Sequence, residues 1–132
     1  MAKQKLILKR VSRKDRIARL TLNRPEKKNA LSQALMDELL AALYGIRDDR
    51  EIRCIVIAGA GDTFCAGMDL HELGRTRQKT PQRWDQADLR ELMAVLRSCP
   101  QITIAQVQGY CLGGGLVLVN GCELAVAADD AR

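Results

Sequence analysis

The amino-acid sequence predicts an α/β fold. Three observations predict it: apolar runs of strand length recur along the 132 residues, apolar stripes at helical spacing lie between them, and the resulting order is β-β-α-β-α-β-α-β. A hydrophobic content of 47% is that of an ordinary globular domain, and the length suits one domain.

Taken in order, residues 5–11 and 17–22 read as strands joined by a polar turn from Ser12 to Asp15. In the second, Ala18, Leu20 and Leu22 alternate with Arg19 and Thr21, the period of a half-buried strand, and a hairpin is the simplest arrangement. After the loop "NRPEKKNA", Ser32 is placed to cap a helix whose Leu35, Leu39, Leu43 and Ile46 recur every three or four positions. The charged run "RDDRE" near Asp48 ends it. "CIVIA" at 54–58 is a continuous apolar run, as in a strand buried on both faces. Thr80 and Pro81 read as an N-cap and first-turn proline ahead of a helix with Leu89, Leu92, Met93 and Leu96 on one face, stopped by Pro100. "ITIAQV" at 102–107 is the next strand, "GGGLVLVNG" opens a buried helix, and "ELAVAA" at 123–128 is a last strand.

Composition excludes several functions. Aromatic residues make up 3%, too few for base-stacking platforms, which argues against single-stranded nucleic acid as a partner. The formal charge of +5 draws on an N-terminal run that includes Lys9, Arg10, Arg13 and Arg16. Such a run suits either solvated strand edges or a phosphate-bearing partner. Five cysteines without a paired C-x-x-C spacing read as reduced thiols of an intracellular protein. His71 is the one histidine, so neither a His-based metal site nor a Ser-His-Asp triad can be assembled from these residues. No apolar run approaches a membrane span and the charged start lacks a signal-peptide core, so the cytoplasm is the expected location.

Two segments place special backbone directly after a strand: "VIAGAGDTFCAGMDL" at 56–70 and "VQGYCLGGGLVL" at 107–118. Such a junction aims free N–H groups at a bound oxygen, because the first amides of a helix lack internal partners and its dipole favours negative charge there. Two nucleotide motifs fail on these glycines. Gly59-Ala-Gly61 is followed by Phe64 where a third glycine belongs and by Lys79 where a ribose-binding acid belongs, and "GYCLGGGL" has no G-K-[ST] ending.

With "LTLNRPEKKNAL" at 20–31, "IVIAGAGDTFCAGMDLHEL" at 55–73 and "PQITIAQVQGYCLGGGLVLVNGCELAVAADDA" at 100–131, the sequence resembles the enoyl-CoA hydratase/isomerase (crotonase) family. The resemblance implies a spiral of β-β-α units, with residues 1–132 forming the N-terminal part of a single crotonase-like domain that stops before its C-terminal half. It implies trimers or pairs of trimers, an acyl-CoA thioester as substrate, and no cofactor beyond the coenzyme A that the substrate carries. By motif position, the backbone N–H groups of Met68 and Gly114 would form an oxyanion hole. Fixed donors there stabilise the charge that collects on a thioester oxygen as a proton leaves the α-carbon, and one such donor is worth about 3–4 kcal/mol in the transition state. The resemblance places Lys27, Lys28 and Ala30 along the coenzyme A arm and Ala66, Asp69 and Leu70 in the loop near the thioester. Gly113 and Val117 would flank the substrate, and His71 lies where the family often has lysine near the adenine end.

The sequence also departs from the family pattern. Hydratases carry a glutamate three residues after the middle glycine, and here that position is Val117, which cannot move a proton. Glu123 reads as a structural acid at a helix-to-strand turn. A second family glutamate would fall near position 137, past Arg132, so the chain is expected to be a fragment of a longer one. Members lacking the first glutamate but keeping the second tend to be isomerases, so double-bond isomerisation is favoured over hydration. A catalytically silent acyl-CoA-binding protein or an RNA-binding relative is the alternative.

Overall fold

Alternation in the first 22 residues closes as a hairpin. In the computed structural model, which describes residues 2–79 and 88–132, β1 (Ile7–Ser12) pairs antiparallel with β2 (Ile17–Leu22), setting Ile7 opposite Leu22 and Ser12 opposite Ile17. The first strand begins two residues later than the sequence suggests and runs through Ser12. The turn therefore falls on 13–16, where Arg16 takes a φ of 61°.

A short 3-10 turn at Pro25–Lys27 leads to α1 (Gln33–Arg47). Ser32 caps α1 as expected, its hydroxyl accepting from the Leu35 N–H at 3.2 Å, and the stripe Leu35, Leu39, Leu43 and Ile46 is buried. Next come β3 (Cys54–Gly59), parallel to β2, and α2 (Leu70–Lys79). α2 is absent from the order expected above, since "LHELGRTRQK" has too few apolar residues to show a stripe. Its start is nevertheless encoded: the Asp69 carboxylate accepts from the N–H groups of His71 and Glu72, and an acid followed three residues later by glutamate is a helix-start signature.

The same spacing starts α3 (Leu89–Ser98), where the Asp88 carboxylate accepts from the Glu91 N–H at 2.8 Å. The cap expected at Thr80 and Pro81 lies outside the described residues. β4 (Ile102–Val107), α4 (Gly114–Gly121) and β5 (Leu124–Ala127) complete the order, with β4 parallel to β3 and β5 parallel to β4. The sheet runs β1-β2-β3-β4-β5.

One face of this sheet meets the helices. Leu20, Leu22, Ile55, Ile57 and Ala105 are fully buried against residues such as Leu39, Leu43, Leu92 and Leu96. On the other face the registers align Arg19, Val56, Ile104 and Leu124 in one row. That face ends in open apolar surface: Leu124 is 56% exposed and Val126 62%.

Candidate functional site

Two loops leave the carboxyl ends of the neighbouring parallel strands β3 and β4, the end at which α/β sheets build their sites. The loop after β3 is laced to the loop after β4. Phe64 N–H donates to Gln108 O at 2.8 Å, Cys65 N–H to Tyr110 O at 3.1 Å, and Leu112 N–H to Cys65 O at 3.0 Å. A third segment, leading into α1, lies against the first loop: Ala66 N–H donates to Lys28 O at 2.9 Å, Leu31 N–H to Gly67 O at 2.7 Å, and Asp69 N–H to Leu31 O at 3.0 Å. The last two bonds bracket Met68 as a parallel bridge to Leu31, so the N–H of Met68 itself points away from Leu31.

Gly114 opens α4, and as the first helical residue its N–H has no intrahelical partner. Among the described residues neither the Met68 N–H nor the Gly114 N–H meets an acceptor. They are close neighbours. A Cβ built on Gly114 would stand 3.6 Å from the Met68 nitrogen, and one built on Gly67 would stand 3.5 Å from the Gly114 nitrogen. Glycine is required at two points of this approach: Gly67 has a φ of +105° with the Leu112 carbonyl 3.0 Å from where its Cβ would lie, and Gly113 has a φ of +49°. The arrangement leaves two neighbouring amides without an acceptor among the described residues, one of them at a helix N-terminus.

The other expected residues fall into three groups. Gly113 precedes α4, and Val117 sits one turn along the helix, half-buried, its N–H donating to Gly113 O at 3.2 Å. Ala30 and Ala66 are half-buried in the laced loops, but their amides already have partners, Lys27 O and Lys28 O. Lys27 and Lys28 are exposed, and Lys28 Nζ pairs with the Asp62 carboxylate at 3.0 Å, a bond that holds the Asp62 carboxyl below the usual carboxylate range.

Asp69 and Leu70 stand where the loop gives way to α2. Leu70 is the first residue of α2, directly after the loop, and it is 78% exposed. Asp69 is committed to protein partners: its Oδ2 accepts from Arg24 Nη1 at 2.8 Å while its Oδ1 caps α2. Arg24 is the residue that sequence reasoning missed. His71 is exposed in the first turn of α2, and the Glu123 N–H donates to Thr103 O at 3.0 Å where α4 turns into β5.

The Cys65 thiol beneath the site is pushed up to about 11 by burial, which keeps it neutral near pH 7 and unsuited to nucleophilic attack. Among the described residues no group of His, Cys, Asp and Glu could hold a metal ion, and no helix is long and apolar enough to cross a membrane. An open cleft lined by Arg47, Arg50, Ile52, Arg53, Pro100 and Gln101 lies at the opposite, amino-terminal ends of β3 and β4.

Comparison with known proteins gives this geometry a context. The model of the enoyl-CoA hydratase/isomerase family matches residues 12–132. The chain is 40% identical over 116 residues to a mitochondrial enoyl-CoA hydratase domain-containing protein 2 from Bos taurus, covering 87% of this chain and 39% of the relative. It is 38% identical over 126 residues to a hydroxycinnamoyl-CoA hydratase-lyase from Pseudomonas fluorescens, covering 92% of this chain and 46% of the relative. Among solved structures, an enoyl-CoA hydratase/carnitine racemase from Magnetospirillum magneticum superposes with a TM-score of 0.84 at 34% identity, covering 98% of this chain and 48% of that one. The chain thus spans about half the length of the proteins it matches. A match over nearly all of its residues shows that the chain belongs to the enoyl-CoA hydratase/isomerase family, with the crotonase-type fold expected from its motifs.

Proposed function

We propose that the chain carries the oxyanion hole of an acyl-CoA enzyme, with the N–H groups of Met68 and Gly114 as its two donors. The observation that supports this reading is their adjacency without any acceptor among the described residues. A thioester oxygen seated between them would accept a hydrogen bond from each, and enolate charge would be stabilised as the α-proton passes to a base, the glutamate that the family resemblance puts near position 137. The substrate brings its own coenzyme A, and Lys27 and Lys28 are near enough to the loop to serve its phosphates as point charges. Gly113 and Val117 border the acyl group. In this reading residues 1–132 are the N-terminal part of a single domain that assembles as trimers.

Double-bond isomerisation is favoured over hydration. Val117 stands one helical turn from Gly114, where a carboxylate would have to hold an added water, and isomerisation needs one base rather than two carboxylates. The same valine supports a second reading, an acyl-CoA-binding protein without proton transfer.

The test is spectroscopic and kinetic. Crotonyl-CoA with an isotope-labelled thioester carbonyl should bind with its carbonyl stretch moved to lower frequency. Gly114→Ala, which puts a methyl group 3.6 Å from the Met68 nitrogen, should abolish that shift and lower any turnover about 100-fold, equivalent to about 3 kcal/mol. A bound thioester with an unshifted carbonyl would sink the proposal. Isomerisation of a β,γ-enoyl-CoA supports the first reading, water addition to an α,β-enoyl-CoA at enzymatic rates overturns the isomerase preference, and carbonyl polarisation without turnover selects the second.

A further inference from the structure

We infer that Arg24 and Asp69 form a positioning pair that aims the Met68 N–H. The inference rests on the oxyanion-hole reading and extends it to residues that touch no substrate. Met68 owes its orientation to the two backbone bonds that bracket it, Leu31 N–H to Gly67 O and Asp69 N–H to Leu31 O. Both bonds join a loop to another loop outside the sheet, flanked by Ala66 N–H to Lys28 O at 2.9 Å on one side and Gln33 N–H to the Glu72 carboxylate at 3.0 Å on the other, and so short a bridge leans on its side-chain contacts.

Arg24 and Asp69 form the charge-assisted contact nearest Met68. Arg24 Nη1 donates to the Asp69 carboxylate at 2.8 Å and to the Ala30 carbonyl at 3.2 Å, so one guanidinium grips the residue after Met68 and the residue before Leu31. Its own backbone is anchored in turn, because Arg24 N–H donates to the Asn29 side chain at 2.9 Å, and Asn29 donates to Ala60 O and Thr63 O in the β3 loop. The side chains of Arg24 and Asp69 are 18% and 11% exposed, which shields the ion pair from solvent screening. The remaining carboxylate oxygen of Asp69 caps α2. The segment leading into α1 and the start of α2 therefore meet at one charge-assisted bond, beside the Met68 amide that neighbours Gly114.

The experiment uses the 132-residue chain with Arg24→Met, Arg24→Lys and Asp69→Asn. Asparagine still caps a helix, so Asp69→Asn removes the charge while leaving the α2 start in place. Two readouts are taken: amide hydrogen exchange at Leu31 and Asp69, and the carbonyl shift of bound labelled crotonyl-CoA. Arg24→Met and Asp69→Asn should speed exchange at both amides by about tenfold or more while Ile57, inside the sheet, is unchanged. The carbonyl shift should be lost with acyl-CoA affinity held within about threefold, and Arg24→Lys, which keeps the charge, should restore part of it. If the variants keep the carbonyl shift, or lose it with exchange at Leu31 and Asp69 unchanged, the positioning role is overturned while the oxyanion hole stands. No carbonyl shift in the unaltered chain would overturn the oxyanion-hole reading and the positioning role with it.

Discussion

The Asp69 carboxylate accepts from three donors, a guanidinium and two backbone amides. The Arg24 bond first, and then the backbone N–H groups of Glu72 and His71, hold its carboxyl below the ordinary value of 3.8. The sign of the pH effect follows. A carboxyl with a depressed folded-state pKa stabilises the fold fully above its unfolded value, and the contribution is lost as pH falls through the folded value. Unfolding midpoints in urea should therefore differ between the unaltered chain and Asp69→Asn at pH 6, and the difference should shrink as pH drops below about 4. A gap that stays constant down to pH 2 would refute this account. The two glycine-bearing segments were legible as strand-to-loop junctions, and the resemblance to the family singled out Met68 and Gly114 within them. Arg24 and Asp69 were not readable as partners, since they are distant in sequence and either charge alone suits a solvated loop.

At the scale of elements, capping decides where helices begin. Ser32 is 7% exposed, and its hydroxyl satisfies an amide that water cannot readily reach. Ser32→Ala should cost about 1 kcal/mol, measured by urea unfolding, and an unchanged midpoint would show that another group replaces the cap. The stripe of α1 was legible because its period is that of a helix facing a core. For α2 the opposite held. Its residues offer almost no apolar face, so periodicity was silent, and the surviving signal was the Asp69 to Glu72 spacing at its start. The β1 boundary moved because the pairing of Ser12 with Ile17 extends a strand past the polar residue that the sequence reading assigned to the turn.

For the molecule as a whole, the sheet is asymmetric. One face is covered by α1, α3 and α4 over β2, β3 and β4, while on the other Ile102 is 48% exposed, with Leu124 and Val126 more open still. Contiguous apolar surface of this kind binds apolar dyes. The chain should enhance the fluorescence of an anilinonaphthalene dye, and Leu124→Ser with Val126→Ser should reduce the enhancement without shifting the urea midpoint. Equal dye binding by both proteins would place the open surface elsewhere. The sequence by itself determined the strand and helix order, the buried stripe of α1 and the two glycine-bearing junctions, because periodicity and backbone requirements are written in neighbouring residues. Tertiary structure alone decided that the Met68 and Gly114 amides lie close together with no acceptor among the described residues, and that Arg24 reaches Asp69. Those contacts depend on where parallel strands deliver their loops, and no local pattern of residues encodes that distance.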